Sequence, residues 1–365
     1  MAFTNKFYFV GTPVFPKDDS KRPFAKEIKK DKKLMLGMNF GIKESDTNMA
    51  FVEGFDSTQD VIKTLDTNNK KIEIKWSDRF DDEVKKQVVD FKKTIVDLGD
   101  DFGGRQEFIS QYDALLFLKE NFKEYKGKVA VTGDLIKEEY KGKFYDKFKF
   151  NKVLAVSDDI KNKLALTVDL FYNKESVDKS SLKDDKKVFI EGYILQYVSK
   201  DKSSYFFPMN VVFNASKYDF EIERHKKLFD YKMSYVDIQN KKYVHIPWDV
   251  RYVSGAEEAE FTEDMLTKKQ KEQIELGIKN IEDFKPKKKV LGERINEYRL
   301  FDPQLTGEFA EGLVECEYTN KEFEDLLFIA TADERLEEVV AKAEDSAKVE
   351  TTSQDDTKVD DDDLF

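Results

Sequence analysis

The distribution of apolar positions predicts a chain that begins in β-structure. Segments 7–15 and 34–55 are rich in β-branched and aromatic residues and are interrupted by glycines, a pattern typical of strands with turns or bulges. Asn68 and Asn69 separate two short apolar runs within 61–76, which predicts a hairpin. Alternation returns over 128–156, and we expect the bend of a second hairpin there at Lys141-Gly142.

Two helices are predicted between these strands. Apolar residues in 81–98 recur at helical spacing, and a further helix is expected over 105–125. The predicted order of elements is several strands, a helical insertion and a closing hairpin. This is the order of the OB-fold, a five-stranded, partly open barrel that binds oligonucleotides. Many small β-barrels share this order. The predicted fold class is therefore mainly β with helical insertions (α+β), built on OB-like barrels.

A weak internal repeat predicts that there are two such barrels. The segments KVAVTG at 128–133 and KVFIEG at 187–192 each open a strand that is followed by a charged loop and an aromatic strand. Chance similarity between hairpins is the alternative explanation. The predicted domains are an OB-like domain with a helical insertion at 1–157, a second OB-like β-domain at 158–255, a helical region with a basic loop at 256–343, and a disordered acidic tail at 344–365.

Two helices are expected in the third of these domains. Thr262 is placed to cap a helix that runs to Ile278, and Thr319 with Glu322 fits a capping box that opens a final helix. A shorter helix is expected earlier, over 220–228.

Charge is concentrated at the end of the chain. The net charge is -12, and residues 344–365 contribute -7 of it through nine acids and two lysines, which leaves -5 on the body. A basic face on the body is therefore compatible with an acidic protein. The single cysteine, Cys316, excludes an intramolecular disulfide and a Cys-rich zinc site, and no cofactor is expected. No apolar stretch approaches the length of a membrane span, so we expect a cytoplasmic protein.

The second hairpin carries the chemistry of single-strand binding. Alternation places Phe144, Phe148 and Phe150 on one face of its second strand, while Tyr145, Lys147 and Lys149 lie on the other. A stacked base contributes roughly 1–3 kcal/mol on an aromatic ring, and lysines neutralise phosphates. For each such residue, a solvated loop or a core position is the alternative. The predicted nucleic-acid-binding residues are Trp76, Tyr140, Lys143, Tyr145, Lys147, Lys149, Tyr193, Tyr197, Lys200, Lys202, Tyr205, Lys287 and Lys288.

The last residues form an acidic run with an apolar tip, namely Asp360, Asp361, Asp362, Asp363, Leu364 and Phe365. Such a peptide can dock into a basic groove that ends in an apolar pocket; a solubilising tail is the alternative. With this DDDDLF terminus and the hairpin VAVTGDLIKEEYKGKFYDKFKF, the chain resembles the prokaryotic and phage single-stranded DNA-binding proteins.

The resemblance implies that the barrel holds single-stranded DNA. It also implies that Asp360–Phe365 recruits proteins of replication, recombination or repair and competes with DNA for the groove, in the host cytoplasm if the chain is phage-encoded. The chain is larger than a one-barrel member and has a long insertion between Thr58 and Tyr125. Two barrels in one chain can replace the tetramer that some members form, so self-association stays open.

Two other function classes remain. Asp66, Glu73 and Lys75 form an acid and acid-x-lysine set of the kind that holds Mg²⁺ in some nucleases. A structural protein-interaction module would tolerate the same folds. The chain has no GxxxxGK[ST] loop, no HExxH motif and no Cys or His cluster, so we predict that it is not an enzyme.

Overall fold

The computed structural model describes residues 5–239, 241–258, 262–285 and 291–328. This part of the chain is mainly β, with a large sheet and a few helices, as the sequence predicts. The strands are β1 (Lys6–Val14), β2 (Ala25–Lys30), β3 (Lys33–Ser45), β4 (Asn48–Ser57), β5 (Val61–Leu65), β6 (Lys71–Lys75), β7 (Thr94–Asp97), β8 (Arg105–Phe108), β9 (Lys128–Tyr140), β10 (Lys143–Val156), β11 (Lys163–Tyr172), β12 (Val177–Asp178), β13 (Lys187–Val198), β14 (Ser203–Asn214), β15 (Val244–Glu258), β16 (Leu291–Pro303) and β17 (Val314–Glu315). The α-helices are α1 (Asp82–Gln87), α2 (Gln111–Asn121), α3 (Glu223–Val236), α4 (Lys268–Glu275) and α5 (Asn320–Asp325).

Strands β1, β3, β4, β10 and β9 pair in a closed circle, which we call the first ring. Antiparallel pairs join β1 to β3, β3 to β4, β10 to β9, and β9 back to β1. A parallel bridge between Lys149 and Glu53 joins β10 to β4 and completes the circle. Helix α2 lies between β4 and β9 in the chain, and its Leu115 and Leu118 are buried in the core.

Strands β11, β13, β14, β16 and β15 form a second ring with the same order of pairings. Antiparallel pairs join β11 to β13, β13 to β14, β16 to β15, and β15 to β11, and a parallel bridge from Val212 to Arg299 joins β14 to β16. Helix α3 lies between β14 and β15 in the chain, where α2 lies in the first ring. Trp248 and Tyr172 are fully buried in this part of the core.

The rings correspond by strand order, and the predicted repeat pairs the wrong strands. Segment 128–133 begins β9, the fourth strand of the first ring, whereas 187–192 begins β13, the second strand of the second ring. Both strands open a hairpin, and hairpins of similar composition explain the similarity between the two segments. The element that corresponds to β9 is β15.

The two rings share backbone pairing and a continuous apolar core. Strand β1 pairs antiparallel with β11, so the first strands of the two rings lie side by side. The β9–β10 hairpin reaches the second ring, where the ring of Phe144 contacts that of Phe207. In return, the β15–β16 hairpin reaches the turn between β3 and β4, where Ala256 N donates a hydrogen bond to Thr47 O (3.1 Å).

Several predicted helices are shorter than the sequence indicates, or are strands. Segment 81–98 contains the six-residue α1, but 94–97 is β7, which pairs with β10. Segment 105–108 is β8, and α2 begins only at Gln111. β-branched residues dominate β7, and in so short a window their spacing fits a helix and a buried strand equally well.

The described part of the region 256–343, namely 256–258, 262–285 and 291–328, is less helical than predicted. The thirteen-residue β16 runs through it, and α4 is capped by Thr267, whose side chain accepts a hydrogen bond from Gln270 N, rather than by Thr262. The short helix expected over 220–228 is displaced and becomes α3. The capping box of Thr319 with Glu322 is confirmed at the start of α5. Within the described ranges, no helix combines the length and apolar character that a membrane crossing requires.

Candidate nucleic-acid interface

The outer face of β4 in the first ring carries two exposed phenylalanines. Ala50, Val52 and Gly54 point into the core, so alternation turns Phe51 and Phe55 outward, where they are 49% and 59% exposed. Their cross-strand partners on β3 are Gly41 and Gly37, which have no side chain to cover the rings. The β3–β4 face therefore presents two aromatic rings to solvent.

Cationic grooves lie at both ends of this face. Beside Phe55 is a groove of about 420 Å³, and beside Phe51 is one of about 630 Å³. The cations that line the first groove are Lys21, Arg22, Lys26, Lys147 and Lys149, and those that line the second are Lys43 and Arg294. Arg294 belongs to β16, so the second ring contributes to the groove beside Phe51.

Three of these cations are held by acids on the same surface. Lys147 Nζ lies 3.0 Å from both carboxylate oxygens of Glu53, which stands between the two phenylalanines on β4. Lys149 Nζ lies 2.7 Å from Glu138, and Lys43 Nζ lies 2.6 Å from Asp46. Such partly exposed pairs contribute about 0–1 kcal/mol, so a phosphate can replace the carboxylate at low cost.

Other cations in the groove beside Phe55 have no acidic partner among the residues that the structure describes. Lys21, Arg22 and Lys26 form no ion pair with any residue that the structure describes. They lie between β1 and β3, within the connection that includes β2. This connection therefore supplies positive charge that is available to a ligand.

The β9–β10 hairpin has the two faces that the sequence predicts. Phe148 and Phe150 are buried in the core, while Tyr145 and Lys149 are exposed on the outer face. Tyr140 and Lys143 pair across the Lys141-Gly142 turn and are also exposed. Lys147 and Lys149 line the groove beside Phe55, so these two predicted residues lie next to the β4 face.

Sequence reasoning did not identify Phe51, Phe55 or the lysines before β3. A strand with apolar residues on both faces has the pattern of a fully buried strand, so nothing marked the phenylalanines as exposed. The available signal was the pair of glycines on β3, Gly37 and Gly41, which are spaced as the two phenylalanines are.

The corresponding face of the second ring is covered by the chain itself. Phe206 on β14 and Tyr243 both stack on Phe323 of α5, with centroid separations of 3.8 and 3.7 Å. Leu327 continues this cover through a parallel bridge to Phe206. No comparable segment lies over Phe51 and Phe55 among the described residues, so the two faces differ in accessibility.

This cover determines the surroundings of the predicted residues in the β13–β14 hairpin. Tyr193 packs edge-on against Phe323 at 5.4 Å, and burial raises the pKa of its hydroxyl. Tyr205 meets Phe328 at 5.6 Å. Both rings thus pack against the C-terminal segment. Tyr197, Lys200 and Lys202 are exposed at the β13–β14 turn and line neither groove.

The remaining predicted residues lie elsewhere. Trp76 is partly buried beneath the guanidinium of Arg79, whose Cζ is 4.2 Å from its ring centroid. Lys287, Lys288 and the six residues from Asp360 to Phe365 lie outside the described residues.

The two acids of the proposed nuclease set have local structural partners. Asp66 Oδ1 accepts hydrogen bonds from the backbone N–H groups of Asn68 and Lys70 (2.8 Å each), and Glu73 pairs with Lys63 across the hairpin at 3.5 Å. Lys75 is exposed at the end of β6. In the described ranges, no three His, Cys, Asp or Glu side chains are arranged to hold a metal ion.

Comparisons with known proteins add little. No family model matches the chain, and no curated protein matches it. Among solved structures, it is similar to a deletion mutant of the single-stranded DNA binding protein from Thermus aquaticus, with a TM-score of 0.31 and 8% identity over 73% of this chain and 100% of that chain. A likeness this weak identifies neither a family nor a function.

Proposed function

We propose that this chain is a non-catalytic single-stranded DNA-binding protein with two OB-like barrels, of which the first holds the strand. OB-folds bind oligonucleotides on the face of their second and third strands and on the loops that follow the first and fourth. In the first ring these strands are β3 and β4, and the loops are the segment with Lys21, Arg22 and Lys26 and the turn at Lys141-Gly142. The observation that carries the proposal is the pair of exposed phenylalanines on β4 between two cationic grooves.

Stacking and charge neutralisation are the proposed mechanism. Phe51 and Phe55 are four residues apart, which places them about 13 Å apart along the strand. Bases of a single strand stack on the two rings, each contributing roughly 1–3 kcal/mol, while the backbone phosphates contact the flanking lysines and arginines. Every base has a π-face, so the binding tolerates any sequence. Duplex bases are already stacked and paired, and they bind weakly.

The acidic tail has the partner-binding role in this proposal. Residues Asp360–Phe365 recruit proteins of DNA replication, recombination or repair, and the tail as a whole competes with DNA for the cationic grooves. Its support is the resemblance of the terminus to those of prokaryotic and phage single-stranded DNA-binding proteins and its net charge of -7.

Fluorescence anisotropy tests the proposal. The full chain is titrated into a labelled oligothymidylate of about 30 nucleotides and into a duplex of equal length, at about 50 and 200 mM salt. We expect tight binding to the single strand that weakens with salt, and much weaker binding to duplex. Equal affinity for both forms would overturn the proposal.

A double variant assigns the binding to the β4 face. Replacing Phe51 and Phe55 by alanine should lower the affinity at least about 30-fold, which corresponds to ~1 kcal/mol or more at each ring. The matched control is Phe91→Ala, because Phe91 is 59% exposed, as Phe55 is, but lines neither groove. If the control and the double variant lose affinity equally, this face is not the binding site.

A further inference from the structure

A separate cationic pocket lies on the outer side of the second ring, beside the end of β3. It has a volume of about 480 Å³. The cations that line it are Lys161, Lys163, Lys217, Arg251 and Arg299, and the ring of Phe301 forms part of its wall. They come from four parts of the fold: segment 161–163, which leads into β11, the loop after β14, and strands β15 and β16.

Two arginines stand directly opposite each other in this pocket. Arg251 on β15 and Arg299 on β16 are cross-strand partners. Like charges in this position are destabilising unless something offsets their repulsion. Glu297 offsets part of it, since its Oε2 lies 2.8 Å from Arg299 Nε, but Glu297 also pairs with Lys187 at 2.7 Å.

The nearby acids are committed to other partners. Asp302 pairs with Lys232 at 2.7 Å, and Asp249 accepts hydrogen bonds from Thr167 and Gln304. Glu44, which lines the pocket, accepts a hydrogen bond from Asn48. Lys161, Lys163, Lys217 and Arg251 form no ion pair in the parts of the chain that the structure covers. The pocket therefore has an excess of positive charge.

Arg251 and Lys217 are held in place by the ring of Phe301. The Arg251 guanidinium lies 4.8 Å from the centroid of Phe301, and Lys217 Nζ lies 5.0 Å from the same centroid. Arg251 Nη1 is buried, and no acceptor within the described residues reaches it. Burial, together with the charges of Lys232, Arg251 and Arg299, lowers the pKa of Lys217. A buried donor without an acceptor is destabilising, and a bound anion would supply the acceptor.

We propose that this pocket binds a run of linked phosphates. Phosphate oxygens supply the missing acceptor for Arg251 Nη1 and suit the planar fork of an arginine. Several cations from different elements fit a ligand with several charges better than a single carboxylate. We take the backbone of the bound single strand as the source, which rests on the proposed function; a free polyphosphate, such as that of a nucleoside triphosphate, has the same chemistry.

Calorimetry with inorganic tripolyphosphate tests the pocket without DNA. The full chain should bind tripolyphosphate, and the double variant Lys217→Gln/Arg251→Gln should bind it at least about tenfold more weakly, which corresponds to 1.4 kcal/mol. Lys161→Gln should also weaken binding. Because it alters an exposed side chain, it tests the pocket even if the double variant misfolds. Lys71→Gln, at the exposed start of β6, is the control. Unchanged affinity in both pocket variants, or no binding by the unaltered chain, would overturn the proposal.

Two oligothymidylates distinguish the sources of phosphate. One of about 8 nucleotides falls within the range of about 4–16 that one OB-fold holds, and one of about 30 exceeds it. The double variant should bind the short oligonucleotide normally and the long one about tenfold more weakly, with a salt slope smaller by about 1.4 for two lost phosphate contacts. If the double variant binds both oligonucleotides normally but has lost tripolyphosphate binding, the strand is not the source of the phosphates. The pocket is then assigned to a free polyphosphate. If the unaltered chain binds tripolyphosphate but neither oligonucleotide, the proposed function fails and the pocket stands.

Discussion

The ring of Phe323 stacks on that of Phe206 with their centroids 3.8 Å apart and their planes inclined by 24°. Through this contact, α5 covers the face of the second ring that corresponds to the exposed β4 face of the first. The phenyl groups of Phe206 and Phe323 are both buried, whereas Phe51 and Phe55 are about half exposed. The second ring of strands therefore uses its aromatic face for internal packing, and the first ring of strands presents its aromatic face to solvent.

Replacing Phe323 by alanine should destabilise the protein without weakening DNA binding. The change removes a fully buried ring, and such losses cost about 3–5 kcal/mol of unfolding free energy. Urea denaturation followed by circular dichroism measures it, and Phe91→Ala, at an exposed ring, should change it by less than about 0.5 kcal/mol. Single-strand affinity at low urea should stay within about twofold, because the β4 face is unaltered. A large loss of affinity would place the bases on the face of the second ring that α5 covers.

Glu53→Gln should strengthen DNA binding. Glu53 holds Lys147 with both carboxylate oxygens and places a negative charge between the two exposed phenylalanines. Without it, Lys147 is available to one more phosphate, and the slope of log K against log salt should steepen by about 0.7. Anisotropy titrations at several salt concentrations measure this, and weaker binding would contradict the placement of the strand over Glu53.

Glu73→Gln is the matched control for that change. It removes a carboxylate with the same kind of cross-strand lysine pair, but on the β5–β6 hairpin, and affinity should not change. The same variant addresses the nuclease alternative. Cleavage of DNA in Mg²⁺ by the unaltered chain, abolished in Glu73→Gln, would establish the enzyme instead.

Gly255→Ala should loosen the contact between the β15–β16 hairpin and the first ring. A Cβ at this position would lie 1.6 Å from Thr47 O, which is backbone, so the hairpin must move and lose its hydrogen bonds to Thr47 and Asn48. We expect a loss of about 1–3 kcal/mol in unfolding free energy and weaker DNA binding, because this hairpin carries Arg294 beside Phe51.

Gly37→Ala is the control for that variant. It also lies in a strand, and its nearest neighbour, Phe55 Cδ2, would be at an ordinary 3.5 Å. Its effect on stability should be less than about 0.5 kcal/mol. Equal destabilisation by both variants would show that glycine itself, rather than close approach to Thr47, is what the strands require.

Stability should fall as the pH rises from about 10 to 12. Burial raises the pKa of Tyr218 and of Tyr243 to about 12. In this window the unfolded chain loses tyrosine protons that the folded chain keeps, so the free energy of unfolding decreases. The contribution of the two tyrosines to that free energy is fully present below pH 10 and is lost as the pH rises. Urea denaturation at several pH values measures the slope. Tyr243→Phe should flatten it and the exposed-site change Tyr140→Phe should not, so equal slopes would contradict the burial of Tyr243.

Removal of residues 344–365 should maintain or tighten DNA binding. The segment carries a net charge of -7, and in the proposed function it competes with phosphates for the cationic grooves. Anisotropy at about 50 mM salt compares the two chains, since screening hides such effects at high salt. Weaker binding after truncation would contradict the competition, and unchanged recruitment of replication or repair proteins would contradict the role of the tail.

The sequence predicted the hairpins well because their signals are local. Alternation together with a turn residue places the β9–β10 hairpin at its observed bounds, 128 and 156, and the segment KVFIEG begins β13 at Lys187. Lys141 and Gly142 at the first turn both adopt positive φ, as a tight hairpin requires. The same alternation correctly separated Phe148 and Phe150 from Tyr145.

The site was harder to predict because it depends on contacts between distant residues. Phe206 and Phe51 both lie on the outer face of a strand. The rings of Phe171, Tyr318 and Phe323 cover Phe206, whereas Phe51 is 49% exposed. Arg294 joins the groove beside Phe51 only because the β15–β16 hairpin reaches the first ring. Neither relationship follows from periodicity or from the neighbours of a residue in the chain.

The exchange of hairpins between the rings has a kinetic consequence. Asn48 donates a hydrogen bond to Tyr252 O and accepts one from Ser254 N, contacts that span more than 200 residues of chain. Contacts so distant in sequence slow folding, since a long loop must close before they form. During synthesis the first ring is complete by Val156, long before β15 and β16 leave the ribosome. Phe51 is therefore exposed on a nascent chain that still lacks its final neighbours, and this is the stage at which aggregation is most to be expected.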